Sequence, residues 1–281
     1  RNISIGRKSF LPHVCSRRVV TAAVYYFLRN FPGVCLPVDK EPTVLLTGFG
    51  LFRDYRSNSS SEVVRALGKT GIPGVHLVVV EVPVEYEAVS TLVPKLWAQH
   101  RPVLAVHCGM DAGAQALALE QVANNGGYCA LDNQGAVPSQ GLCSGSCPQQ
   151  KLLRTNFDLD ALCKKLKAGD CQVPVQVSSD AGRFMCEFIY YTSLNISPST
   201  VFVHVPPVDK PFSVEQLSSA VGNIILNLLE QMGLGGSANR IPAPSNNLAK
   251  STGIALETTN AGVALKTMNR RPEEATSNAA N

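Results

Sequence analysis

The sequence predicts an α/β fold, a three-layer α/β/α sandwich around a mostly parallel mixed sheet. Three observations carry this. Near-continuous apolar runs of strand length alternate with amphipathic helical patterns, as in sheets covered on both faces. The chain has 281 residues and is 45% hydrophobic, enough to bury a sizeable core. No apolar run approaches the ~20 residues needed to span a bilayer, so no membrane partner is expected.

Each element follows from its own pattern. "TVLLT" (43–47) reads as a buried strand. "SEVVRALGK" (61–69) reads as a helix with Val63, Val64 and Leu67 on one face, and the serines before it as N-cap. "VHLVVVEV" (75–82) is a second strand. "YEAVSTLVPKLWAQH" (86–100) is a helix with Val89, Leu92, Val93 and Leu96 inward and a bend expected at Pro94. "PVLAVHCG" (102–109) is a third strand, followed by a long irregular stretch. "DLDALCKKLKAG" (158–169) is a helix stopped by Gly169. "VPVQV" (173–177) is a strand, 182–194 a helix and "TVFVHV" (200–205) a strand. The last helix, 213–232, opens on a capping box of Ser213 and Gln216 and buries Leu217, Ala220, Ile224 and Leu228.

The ends differ from this body, which spans 41–232. Residues 1–40 form a basic extension with a local charge of +6 against +4 for the chain, leaving the rest at −2. The body therefore has no basic face that calls for nucleic acid. Within the extension, "RRVVTAAVYYFL" (17–28) fits a degenerate signal h-region or a short docking helix. Residues 233–281 contain no aromatic residue and are expected to be a disordered tail. Nine scattered cysteines fit reduced thiols in the cytoplasm better than a disulfide framework. Cys129, Cys143 and Cys147 could clip a metal, but they lack paired CxxC spacing, and no metal or cofactor is expected.

Chemistry concentrates near "SSDAGRFMCEFIYY" (178–191). Cys186 lies in the first turns of a helix that follows a strand and a Ser-Asp-Ala-Gly bend. Free N–H groups there can lower a thiol pKa or hold an oxyanion. A small buried core residue is the plainer reading. His204 ends the next strand, often a parallel neighbour, so the two side chains are expected at one sheet edge. His107 is the rival base. For a group that orients the histidine, Glu120, Asp132, Asp180, Glu81 and Glu85 all remain open.

Five separated stretches together resemble one family. "LLTGFGLF" (45–52), "VPVEYEAV" (82–89), "LALEQVANNGGYCALDN" (117–133), "SSDAGRFMCEFIYYTSL" (178–194) and "FVHVPP" (202–207) are similar, in the same order, to pyroglutamyl-peptidase I. The resemblance covers about 43–230. It is closest to the animal branch, in particular its pyroglutamyl-peptidase I-like paralogue. It implies a cysteine-type omega peptidase of α/β/α fold, acting on peptides with an N-terminal pyroglutamate and needing no cofactor. The family's catalytic Glu, Cys and His fall on Glu120, Cys186 and His204. Its pyroglutamate pocket falls on Phe49, Phe52, Phe184 and Met185, and Met110 stands where bacterial members have Gln.

Departures from the family set a second expectation. Leu51 replaces the proline of its "GFxPF" loop, which predicts a looser seat for Phe52. Asn58-Ser59-Ser60 replaces the usual "NP/AS", a milder change. Residues 121–133 contain no Lys or Arg, where many members have one. Segment 134–157 reads as a variable loop. An active peptidase is favoured because Glu120, Cys186 and His204 are all present. The alternatives are a pseudoenzyme that binds pyroglutamyl termini or another partner, and a hydrolase of altered amide specificity.

Overall fold

A computed structural model describes residues 41–234 except positions 54 and 170; the extension 1–40 and residues 235–281 of the expected tail lie outside the described residues. The chain runs β1 (Thr43–Phe49), α1 (Ser59–Thr70), β2 (His76–Val82), α2 (Tyr86–His100), β3 (Leu104–Met110), β4 (Leu117–Glu120), β5 (Val122–Asn124), β6 (Leu152–Arg154), α3 (Leu159–Ala168), β7 (Val175–Ser178), α4 (Met185–Leu194), β8 (Thr200–Val205) and α5 (Val214–Gln231). The main sheet has the order β2-β1-β3-β8-β4-β7. It is parallel from β2 through β8, and β4 runs antiparallel to β8 but parallel to β7.

Strand alternation builds two cores. Val44 and Leu46 of β1, and Val201, Val203 and Val205 of β8, face one side and pack with apolar residues of α1, α3 and α5. Phe49 and Phe202 face the other side and pack with Val89 and Val93 of α2 and with Phe188–Tyr191 of α4. The result is the expected α/β/α sandwich. Gly48 is required because a Cβ there would lie 2.6 Å from the Ser60 carbonyl oxygen of α1.

The predicted stripes are inside: Val63, Val64, Leu67, Val89, Val93, Leu96, Leu217, Ala220, Ile224 and Leu228 are buried, and Leu92 is half-buried. The Ser213–Gln216 capping box is formed in both directions. Gly169 caps α3.

Four expectations need correction. The N-cap of α1 is Asn58, whose carboxamide accepts from the Ser60 N–H; the serines lie inside the helix. The irregular stretch after β3 contains β4, β5 and β6, each only three or four residues long and too short to show a period. The helix expected from 182 starts at Met185, because Gly182 sits at φ +81°, a left-handed turn conformation outside the helix. Finally, β7 and β8 are not parallel neighbours. The short strand β4 lies between them, and β8 runs opposite to β7.

Candidate active site

The carboxyl ends of the parallel strands β1, β2 and β3 open onto a cleft, as open α/β sheets favour. The cleft has a volume of about 230 Å³. Phe49, Phe52, Val84, Met110, Phe184 and Met185 line it, with Tyr55, Ser57, Asn58 and Ala112 beside them, and Cys186 is in its wall. All five residues assigned to the pocket by resemblance are in this lining. The Phe52 and Phe184 rings meet at 5.2 Å between centroids and form an aromatic corner.

Cys186 is the second residue of α4, in its first turn. The N-cap, Phe184, provides no side-chain acceptor, so no cap from its side chain competes for the first-turn N–H groups. Beneath the thiol lies Gly109 of β3, where a Cβ would fall 2.6 Å from Cys186 Sγ. Gly109 is paired in register with His204 of β8. A side chain at 109 would therefore occupy the space in which the thiol meets the imidazole.

Cys186 and His204 meet over the carboxyl ends of the parallel strands β3 and β8, not over those of β7 and β8. Helix α4 runs into β8 through a short connection, and the two pack together on the sheet face that carries Phe202 and His204. The start of the helix is thereby brought beside the end of the strand.

The antiparallel strand supplies the third group. Ala118 pairs with His204 and Glu120 with Phe202, which makes Glu120 and His204 diagonal neighbours on one face. Glu120 Oε1 lies 2.8 Å from His204 Nδ1. The strand end holding Glu120 is pinned by the Tyr190 hydroxyl of α4, which donates to the Glu120 carbonyl at 2.7 Å. Both side chains are largely removed from solvent, with 13% of His204 and 2% of Glu120 exposed. Burial works against a charged imidazole. Hydrogen bonds to Cys186 and Glu120, together with their negative charges, outweigh it and lift the His204 pKa to about 10.

The other candidates lie elsewhere. His107 is fully buried; its Nδ1 shares a 2.7 Å hydrogen bond with the Thr47 hydroxyl, and desolvation drops its pKa to about 3. It is neutral at working pH. Asp132 accepts from the Tyr86, Gln134 and Ala136 N–H groups and so caps the start of α2. Asp180 accepts from the Gly182 N–H and from Arg183. Glu81 pairs with Arg65, and Glu85 accepts from Gln134. Cys129 is exposed, whereas the Cys143 sulfur lies against Phe188 and Thr192 of α4.

Sequence reasoning missed several residues that shape the site. Glu187, next to the cysteine, is fully buried and accepts from the Asn124 N–H and carboxamide at 3.0 Å each and from Arg183 at 2.9 Å. This network locks the first turn of α4 to β5. An acid directly after the cysteine in an otherwise apolar helix was the available signal. Asn133 grips the Phe52 loop from both sides. Its Oδ1 accepts from the Arg53 N–H at 3.2 Å, and its Nδ2 donates to the Leu51 carbonyl at 2.9 Å. The Leu51 side chain itself is 55% exposed. The looseness expected from losing the proline is thus opposed by a side-chain clamp.

A thiol, an imidazole and a carboxylate in sequence beside an apolar cleft form the apparatus of a cysteine hydrolase. The sequence profile of the pyroglutamyl peptidase family matches residues 42–218. The chain belongs to the pyroglutamyl peptidase family. It is 42% identical over 193 residues to human Pyroglutamyl-peptidase 1, covering 67% of this chain and 91% of that protein. It is 35% identical over 160 residues to human Pyroglutamyl-peptidase 1-like protein, covering 57% and 80%. Of these two animal relatives, Pyroglutamyl-peptidase 1 has the higher identity. The pyrrolidone carboxyl peptidase of Fervidobacterium islandicum superposes with a TM-score of 0.61 at 28% identity, covering 67% of this chain and 99% of that one.

Proposed function

We propose that this pyroglutamyl peptidase family member removes N-terminal pyroglutamate from peptides by acyl transfer through Cys186, within residues 41–232. The observation that carries the reading is the Glu120–His204–Cys186 chain ending at an aromatic cleft.

The steps follow from the geometry. Glu120 accepts from His204 Nδ1 and fixes the ring, leaving Nε2 for Cys186. His204 takes the Cys186 proton and, with its pKa lifted, holds it as imidazolium. The thiolate attacks the carbonyl that joins pyroglutamate to the next residue. First-turn N–H groups of α4 stabilise the oxyanion. His204 then gives its proton to the leaving amine. Water attacks the thioester with His204 as base and releases pyroglutamate, restoring the thiol. No step needs a cofactor.

Selectivity comes from what the cleft lacks. A pyroglutamyl ring carries no ammonium group, so Phe49, Phe52, Met110, Phe184 and Met185 can enclose it without stranding a charge. A free N-terminal ammonium would be desolvated there with no partner. The free thiols among the described residues fit a reducing compartment, which favours the cytoplasm as the working site.

Turnover of a fluorogenic pyroglutamyl-amide, with iodoacetamide as inhibitor, tests the reading. Activity that iodoacetamide abolishes supports it. A silent protein whose Cys186 still alkylates would favour a binding protein without turnover.

A further inference from the structure

The proposed mechanism uses one of the seven cysteines among the described residues. Cys108 and Cys163 are buried. Cys171 donates to the Val173 carbonyl, and Cys143 contacts the Phe188 carbonyl at 3.5 Å and the Thr192 hydroxyl at 3.2 Å. Burial pushes the Cys143 pKa up to about 12 and keeps it a neutral thiol. Cys147 is in a different situation.

Cys147 is partly exposed, on a loop held in place from below. The fully buried Asn125 donates its carboxamide to the Ser144, Cys147 and Pro148 carbonyls at 2.9, 3.0 and 3.1 Å and accepts from the Ser144 N–H at 2.7 Å. The Cys147 N–H donates to the Ser144 carbonyl and closes a turn. On this fixed loop, Lys151 Nζ lies 3.3 Å from the sulfur. From below, Tyr191 of α4 brings a hydroxyl within interaction range of the same sulfur. Tyr191 is fully buried, and its hydroxyl has no formed hydrogen-bond partner. The acceptor it faces is that sulfur, a weak one, and a buried hydroxyl so placed calls for a stronger partner atom.

We propose that Cys147 is a second reactive thiol, a site where a hydroperoxide converts the thiolate to a sulfenic acid whose oxygen is held by Tyr191 and Lys151. The sulfur attacks one peroxide oxygen. The S–O bond forms as the O–O bond breaks. The departing hydroxide, or the alkoxide of an organic hydroperoxide, takes a proton from the Lys151 ammonium and leaves as water or alcohol, and solvent reprotonates Lys151. Sulfur loses two electrons and the peroxide gains them. The new oxygen gives the Tyr191 hydroxyl a stronger acceptor than the sulfur. Hydrogen bonds from Ser144 and Lys151 hold the Cys147 thiol below its usual value and favour the nucleophilic form. Cys143, the nearby cysteine in sequence, is kept protonated by burial and is a poor resolving thiol, so the sulfenic acid persists.

The test treats the full chain with low hydrogen peroxide, traps sulfenic acids with dimedone and maps adducts by peptide mass spectrometry. Exposed Cys129 is the internal reference, and Cys186 is read from its own peptide. The Cys147 adduct is expected to form about tenfold faster than any at Cys129, in line with thiolate stabilisation. Tyr191→Phe, which removes the hydroxyl that faces the sulfur, and Lys151→Ala, a surface change, should each slow it about fivefold. A Cys147 adduct no faster than that at Cys129, or a rate untouched by both variants, would overturn the proposal.

Discussion

Asn133→Ala tests whether the cleft is built by its loop. The substitution deletes two hydrogen bonds, the 2.9 Å contact to the Leu51 carbonyl and the 3.2 Å contact from the Arg53 N–H. The Asn133 N–H bond to the Val84 carbonyl belongs to the backbone and survives. At about 0.5–1 kcal/mol net for each bond, the clamp contributes about 1–2 kcal/mol to placing Phe52. That corresponds to roughly a five- to thirtyfold change in the population of the placed loop. In the proposed mechanism Phe52 encloses the substrate ring and touches no reacting atom, so the loss should fall on binding. The expected result is a KM raised by roughly that factor with kcat little changed. The assay is steady-state hydrolysis of a pyroglutamyl-amide, with thermal unfolding as a control for the fold. A KM within about twofold of wild type would refute the clamp as the loop's anchor.

The remaining predictions concern the thiol, the loop and the imidazole. Gly109→Ala places a Cβ 2.6 Å from Cys186 Sγ and 2.7 Å from the Phe202 ring. It should destabilise by about 1–3 kcal/mol and, by displacing the thiol, cut turnover on the order of a hundredfold. Urea melts and kcat check both. Leu51→Pro keeps the carbonyl that Asn133 holds and stiffens the loop, so kcat/KM should rise about two- to fivefold from roughly 0.4–1 kcal/mol of reduced loop entropy; no change would show that the clamp alone sets the loop. The His204 pKa is raised from 6.5 to about 10, so its contribution to stability is complete below pH 6.5 and is lost as pH rises through about 10. The stability gap between wild type and His204→Asn, measured by urea unfolding, should narrow from pH 6.5 to 10. A gap that widens over that range contradicts the assignment.

Legibility in the sequence followed length and periodicity. The helix at 86–100 and the strand at 200–205 have the predicted bounds, because each has a full apolar pattern and clear neighbours. β4 was invisible as a strand, since four residues cannot establish a period. Its position between β8 and β7 was equally hidden, because strand order depends on long-range pairing that no local signal encodes. For that reason periodicity left Glu120 as one of five acids, and resemblance alone singled it out. The start of α4 was misjudged because Gly182 looks like a helix opener in the sequence, although its left-handed φ makes it part of the preceding turn. Asn133 and Asn124 were present in a quoted motif, but their roles rest on partners about 80 and 60 positions away in the chain. The buried charge of Glu187 was legible only as an oddity, since its compensation by Asn124 and Arg183 requires the fold.

The most direct measurement is acid-quench mass spectrometry of the protein turning over a pyroglutamyl-amide, with wild type and Cys186→Ala side by side. The account predicts a pyroglutamyl thioester on the Cys186 peptide of the wild type and steady product release. It predicts neither adduct nor product from Cys186→Ala. Product formation by Cys186→Ala at the wild-type rate, or a silent wild type whose Cys186 still alkylates, would contradict the claim that Cys186 carries the acyl group.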